Sequence, residues 1–156
     1  MRLYLVQHGE AKSEEVDPDR PLTENGARRA RQLAAFLRPL KLSLRAVYHS
    51  GKTRAEQTAR ILASALETAR GLVQREGLGP KDPIRSVKDE LAHAREDLMI
   101  VGHLPFLGKL ASALLAGDES ADLIAFHYGA VLCLERGEDG AWRARWMLVP
   151  DIVPDA

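Results

Sequence analysis

Two stretches of this chain share one layout, and that layout permits few folds. Leu3-Tyr4-Leu5-Val6 is followed by Gln7 and then His8, and Leu98-Met99-Ile100-Val101 is followed by Gly102 and then His103. Each consists of four apolar residues, one spacer and a histidine. Apolar runs this short, with no polar alternation, suit strands buried on both faces, as in the interior of a parallel sheet. Ligands bind such sheets just beyond the carboxyl ends of the strands. If both runs are parallel strands of one sheet, His8 and His103 project from the same edge. A lone histidine is usually structural or exposed. Two at matching strand ends are harder to assign to packing alone.

The rest of the chain alternates helix and strand. Lys12 to Arg20 is charged, contains Pro18 and reads as a loop. Thr23 is placed to cap a helix ending near Pro39, with Ala27, Ala30, Leu33, Ala34 and Leu37 on its apolar face. Ala46 to Tyr48 is a second strand, ending in His49 and Ser50. The spacing of Ala55, Ala59, Leu62, Ala65, Leu66 and Ala69 predicts a helix from Thr53 to Arg70, stopped by Gly71. Leu72 and Val73 begin a weaker strand. Gly77, Gly79, Pro80 and Pro83 mark a loop, and a short helix around Ser86 to Ala94 leads into the Leu98 strand. Pro105 opens another helix, closed by Gly117. Ala130–Leu134 and Trp142–Leu148 flank a turn containing Gly137, Asp139 and Gly140, as in a hairpin. Trp142, Ala144, Trp146 and Leu148 alternate with polar residues, as an antiparallel edge strand would.

This order predicts an α/β protein with three layers, α/β/α, around a mostly parallel central sheet with an antiparallel C-terminal hairpin strand. The expected domain spans 1–150, with 151–156 as a loosely held tail. A length of 156 residues suits one domain. Lys and Arg together number 22, as do Asp and Glu, so no global field draws the chain to nucleic acid or an anionic membrane. The single cysteine, Cys133, lies in an apolar run and reads as a reduced core thiol. With no signal pattern and no membrane-length apolar stretch, the expected location is the cytoplasm.

Three strand ends would then meet at one crevice, delivering His8, the Ser50–Arg54 segment and His103. Arg54 falls at the start of its helix, where unpaired N–H groups and the helix dipole already favour an anion. Two histidines and an arginine beside helix N-termini suit a compact, multiply charged anion such as phosphate. The histidines lack the i, i+4 spacing of a zinc helix, so no metal and no cofactor is expected.

At this point the chain resembles a known family. Gln7-His8-Gly9-Glu10 is similar to the Arg-His-Gly motif of the histidine phosphatase superfamily, which includes phosphoglycerate mutases and acid phosphatases. Arg54-Ala55-Glu56-Gln57-Thr58-Ala59 resembles that family's second motif, and Val101-Gly102-His103 its third. Arg20-Pro21-Leu22-Thr23-Glu24-Asn25-Gly26 is similar to the segment after the first. In size the chain resembles the short branch of phosphohistidine phosphatases (SixA type). The resemblance implies a phosphoglycerate mutase-like fold and a nucleophilic His8 that becomes a phosphohistidine, which water then hydrolyses. It further implies that Arg54 and His103 hold the equatorial phosphoryl oxygens, with Gly9 and Arg20 in the phosphate site. Ser50 either donates a hydrogen bond there or caps the helix.

Two departures from the family pattern stand out. Gln7 occupies the place of the family arginine, and it is neutral and has no bidentate grip. Larger relatives also carry a general-acid carboxylate after the third strand, where this chain offers Glu76 and Asp82. Each is either that acid or simply loop surface charge. An imidazole leaving group needs an acid less than an alkoxide does. The short gap before the His103 strand leaves no room for a helical lid, which suits a phosphorylated residue presented by another protein. The expected function is therefore a phosphatase acting on phosphohistidine in proteins. Two alternatives stand beside it: a phosphatase for small phosphate esters, and an inactive phosphate- or phosphoprotein-binding module created by Gln7.

Overall fold

The N-terminal apolar run lies in the middle of a sheet. A computed structural model describes residues 1–155. Its strands are β1 (Arg2–Gln7), β2 (Ser43–Leu44), β3 (Ala46–His49), β4 (Glu67–Thr68), β5 (Leu72–Gln74), β6 (Leu98–Gly102), β7 (Val131–Arg136) and β8 (Trp142–Leu148). Its helices are α1 (Glu24–Leu37), α2 (Thr53–Ala63), α3 (Arg85–His93) and α4 (Phe106–Ala116). Six strands form the main sheet in the order β5-β3-β6-β1-β7-β8. The first four run parallel, β7 pairs antiparallel with β1, and β8 pairs antiparallel with β7.

Side-chain alternation along β1 explains why its sequence shows no polar positions. Leu3 and Leu5 face a core shared with Leu98 and Ile100 of β6, Val87 and Leu91 of α3, and Phe106 and Leu110 of α4. Tyr4 and Val6 face the opposite core, with Met99 and Val101, Leu33 and Leu37 of α1, and Ala59 and Leu62 of α2. Both faces are covered, so both sets must be apolar, and the expected three layers are present. Arg136 fastens α3 from the sheet side, donating to the carbonyls of Leu91 and Ala94 at that helix's end.

Thr23 caps α1 as predicted, its Oγ1 accepting from the Gly26 N–H at 2.9 Å. The same hydroxyl donates to Glu10 Oε1 at 2.7 Å, which ties the cap to the segment after β1.

Two expectations need correction. The helix from Thr53 stops at Ala63 and does not run to Arg70. Ser64 donates back to the Ile61 carbonyl, and Glu67–Thr68 instead pairs with Ser43–Leu44. Ala65 is buried in the turn, so its apolar spacing imitated a continuing helix. Gly71, with φ +67°, shapes the turn into β5 and does not end a helix. The second correction concerns the C-terminal segment, which is docked. Pro150–Ile152 forms a 3₁₀ turn, Val153 is buried beside α1 residues, and Arg29 donates to the Pro150 carbonyl at 3.1 Å. No helix among the described residues is long and apolar enough to cross a membrane.

Gly26 shows how tightly α1 meets the segment after β1. A Cβ built there would lie 2.1 Å from the Glu10 carbonyl oxygen, which is backbone and has little room to move. Alanine gains about 1 kcal/mol of helix propensity over glycine, but overpacking costs about 1–3 kcal/mol. Gly26→Ala should therefore destabilise the protein, by up to about 2 kcal/mol, in a denaturant titration. Stabilisation would mean that the helix can shift away from Glu10.

Candidate active site

Register brings the two histidines together. In the β1–β6 ladder Val6 is opposite Val101 and Gln7 opposite Gly102, so His8 and His103 leave the sheet at one level. The His8 N–H continues the ladder to the Gly102 carbonyl at 3.0 Å. The ring centroids lie 5.0 Å apart, tilted by 53°. On the other side of β6, His49 is opposite Val101, which places Ser50 at the same edge.

His8 is 6% exposed. Its Nδ1 lies 2.7 Å from the Gly9 carbonyl oxygen. A carbonyl only accepts, so this contact assigns the ring proton to Nδ1 and leaves the Nε2 lone pair free. Burial drives the His8 pKa down to about 4, and the charges of Arg54 and Arg20 push the same way against the Gly9 hydrogen bond. His103 is brought down to about 3 by burial first, then by His8, Arg54, Lys52 and Arg20. Both rings are neutral at neutral pH.

His103 Nε2 lies 2.6 Å from Ser50 Oγ, which also accepts from the Lys52 N–H at 3.3 Å. Ser50 is thus engaged mainly with His103. The N-cap position of α2 belongs to Lys52, with no side-chain cap. When the Ser50 hydroxyl donates to Nε2, the ring proton of His103 sits on Nδ1. Arg54 lies in the first turn of α2, its pKa lowered by burial and by Arg20. The loop after β1 folds back through an Ala11–Leu22 bridge, and Gln57 Oε1 accepts from the Leu22 N–H at 2.7 Å. That closure brings Arg20, at φ +48°, close enough for its charge to act on His8, Arg54 and His103.

Four buried side-chain polar atoms lack a partner among the described residues, and three of them are here: Gln7 Oε1, Arg54 Nε and His103 Nδ1. Each such group carries a cost of about 1–3 kcal/mol. Concentrated around His8, they mark where an oxyanion would be welcome. Arg54 Nε and a protonated His103 Nδ1 are donors, and Gln7 becomes one when its amide makes a half-turn. Gly9 completes the corner, its N–H donating to Thr58 Oγ1 at 3.0 Å.

The two carboxylates considered as general acids differ in position. Asp82 accepts from the Gly79 N–H at 2.7 Å and lines an open groove with Ser50, Gly51 and Lys52. Glu76 is exposed and does not line that groove. Neither carboxylate bonds to His8, Arg54 or His103. Two neighbours were given no role by the sequence reading. The Tyr128 ring lies 5.7 Å from that of His8, held by a turn in which the Gly129 N–H donates to the Gln7 carbonyl at 3.0 Å. The other is Thr58. A Tyr-Gly pair entering a strand was the available signal for the first, whereas Thr58 stands in the second motif but, close to Ala55 and Ala59, looks like core. His127 is exposed and lines an adjacent cleft of about 240 Å³ with Glu10, Asn25 and Arg29.

Comparison with known proteins agrees with this geometry. The profile of the histidine phosphatase superfamily (branch 1) matches residues 3–79. An uncharacterized protein of Picosynechococcus sp. is 36% identical over 125 residues, covering 76% of this chain and 75% of its own. The phosphohistidine phosphatase SixA of Escherichia coli (strain K12) is 26% identical over 155 residues, covering 96% and 94%. The solved structure of the protein histidine phosphatase SixA complexed with tungstate superposes with a TM-score of 0.84 at 25% identity, covering 97% of this chain and 98% of that one. On fold, motif order and sequence relationship together, the chain belongs to the histidine phosphatase superfamily.

Proposed function

We propose that this protein is a phosphatase working through a covalent phosphohistidine on His8, and that its substrate is phosphohistidine in proteins. The observation that carries the reading is the buried, neutral His8, with Nδ1 committed to the Gly9 carbonyl and Nε2 left as a nucleophile. The Nε2 lone pair attacks phosphorus in line, and the bond from phosphorus to the leaving imidazole nitrogen breaks with its electron pair on that nitrogen. Solvent protonates the departing ring, so no carboxylate is required. Arg54 and Arg20 supply positive charge, and His103 with Gln7 supplies neutral donors, toward the equatorial oxygens. Water then attacks the phosphoryl group, and the P–Nε2 bond breaks to return neutral His8 and free phosphate.

Support for a protein substrate comes from two directions. Two of the relatives are named as a phosphohistidine phosphatase and a protein histidine phosphatase, while solved structures of the same fold include a putative alpha-ribazole-5'-P phosphatase. The segment between β5 and β6 supports the same reading, because α3 buries Val87 and Leu91 against the sheet face and forms no lid over His8.

Three outcomes follow. In single-turnover dephosphorylation of a phosphohistidine-bearing protein, the wild type should release phosphate and His8→Ala should not. Equal release by both would remove His8 as the nucleophile, and activity on small esters alone would move the substrate to metabolites. Gln7→Arg should raise kcat/KM about fivefold, since a charge-assisted hydrogen bond is worth about 1 kcal/mol more than a neutral one. A fall instead would show a pocket built around the amide.

The third outcome concerns protons. Burial holds His8 near 4 and His103 near 3, below the ordinary 6.5. Between those values the unfolded chain binds protons that the folded one refuses, so stability is full above about pH 6.5 and drains away as pH falls through 4 toward 3. NMR titration should place both midpoints well below 6, and the melting temperature should drop across the same interval. Midpoints near 6.5 would mean that the rings are open to water.

A further inference from the structure

Thr58 belongs to α2, is 1% exposed and makes two hydrogen bonds with one hydroxyl. It donates to the Arg54 carbonyl at 2.8 Å and accepts from the Gly9 N–H at 3.0 Å. Gly9 in turn accepts from His8 Nδ1 at 2.7 Å. An unbroken chain of contacts therefore runs from the helix turn that carries Arg54, through Thr58 and Gly9, to the imidazole of His8. A threonine hydroxyl bonded to the carbonyl four residues back is common in helices and by itself means only that a buried hydroxyl is satisfied. The second bond is not local, because it spans 49 positions and reaches the residue that holds the nucleophile's proton.

Resting on the phosphatase reading for its kinetic meaning, we propose that Thr58 is a positioning residue: it pins the His8–Gly9 peptide and, through the Gly9 backbone, the next peptide, whose carbonyl keeps the His8 proton on Nδ1 and its Nε2 toward the phosphoryl group, in register with Arg54. Without the hydroxyl, the N–H of the His8–Gly9 peptide is buried and unpaired; that peptide turns to find a partner, and the Gly9 carbonyl, on the next peptide, turns with it through the glycine's soft backbone dihedrals. That rotation releases Nδ1. His8 then exchanges its proton between the two ring nitrogens, and a fraction of molecules present Nε2–H, which is not a nucleophile. Displacement of a reacting group by about 1 Å costs on the order of 100-fold in rate.

The test compares Thr58→Val, which keeps the shape and loses the hydroxyl, with Thr58→Ser, which keeps the hydroxyl. Nitrogen-15 spectra of the His8 ring report the tautomer, and single-turnover kinetics on a phosphohistidine protein report the chemical step. Thr58→Val should turn one tautomer into a mixture and lower kcat about 10- to 100-fold with KM nearly unchanged, and Thr58→Ser should restore both. If Thr58→Val does not fold, Thr58→Ala against Thr58→Ser gives the same comparison. An unchanged tautomer in the hydroxyl-free variant, whether kcat falls or not, overturns the proposal, as does a serine variant that behaves like valine. The tautomer readout needs no substrate. A wild type inert toward phosphohistidine, with a tautomer that still follows Thr58, would sink the substrate reading and leave the positioning role standing.

Discussion

The site exists because β1 and β6 lie parallel and in one register. Each strand separates two cores: Leu3 and Leu5 belong to the layer of α3 and α4, while Tyr4 and Val6 belong to the layer of α1 and α2. A slip of one residue would exchange those sets, because successive side chains point to opposite faces. The two layers are filled by different side chains, so neither accepts the other's set. The juxtaposition of His8 and His103 is thus enforced by aliphatic packing several residues upstream, and the imidazoles themselves contribute little to it.

Burial at that edge does two things with one cause. It strips water from the imidazoles, which keeps both neutral among cationic neighbours, and it leaves Gln7, Arg54 and His103 each with a polar atom unmet. Such an edge is a local weakness that the surrounding sheet tolerates. Gln7 changes the balance further. Its neutral amide leaves the positive charge of the site to arginines on an α-helix and on a loop, so cationic strength depends on how well the loop carrying Arg20 is held. Lys12, Leu22 and Gln57 do the holding, through the Arg20 Nε to Lys12 carbonyl bond at 3.0 Å and the Gln57 contact with the Leu22 N–H.

Much of this was legible in the chain. The doubled run-and-histidine pattern located the site, because strands buried on both faces leave an unmistakable apolar signature. Thr23, Pro105 and Gly117 marked helix ends through local chemistry that does not depend on tertiary context. Less legible were features decided by distant partners. Ala65 and Leu66 continue a helical spacing, yet the backbone leaves the helix to pair Glu67 and Thr68 with Ser43 and Leu44. Ser50 reads equally well as a cap or a ligand donor until His103 is seen 2.6 Å away. Val153 is a short apolar interruption near a chain end, and nothing local reveals that α1 receives it.

One asymmetry of the sheet has its own bearing on how such a site can vary. β7 runs against β1, so the segment that reaches the edge carrying His8 is the one preceding the strand and not the one following. The parallel strands supply a floor of side chains locked to the core register. The turn at His127 to Gly129, which delivers Tyr128 over His8, instead hangs from the end of an irregular stretch that starts at α4. Outside its two anchors, the Leu123 N–H bond to Ser112 and the buried Phe126, residues can be gained or lost along that stretch without moving any floor residue. The molecule therefore has a fixed base and one wall whose height and chemistry are free to drift, a division that lets selectivity change while the reaction stays the same.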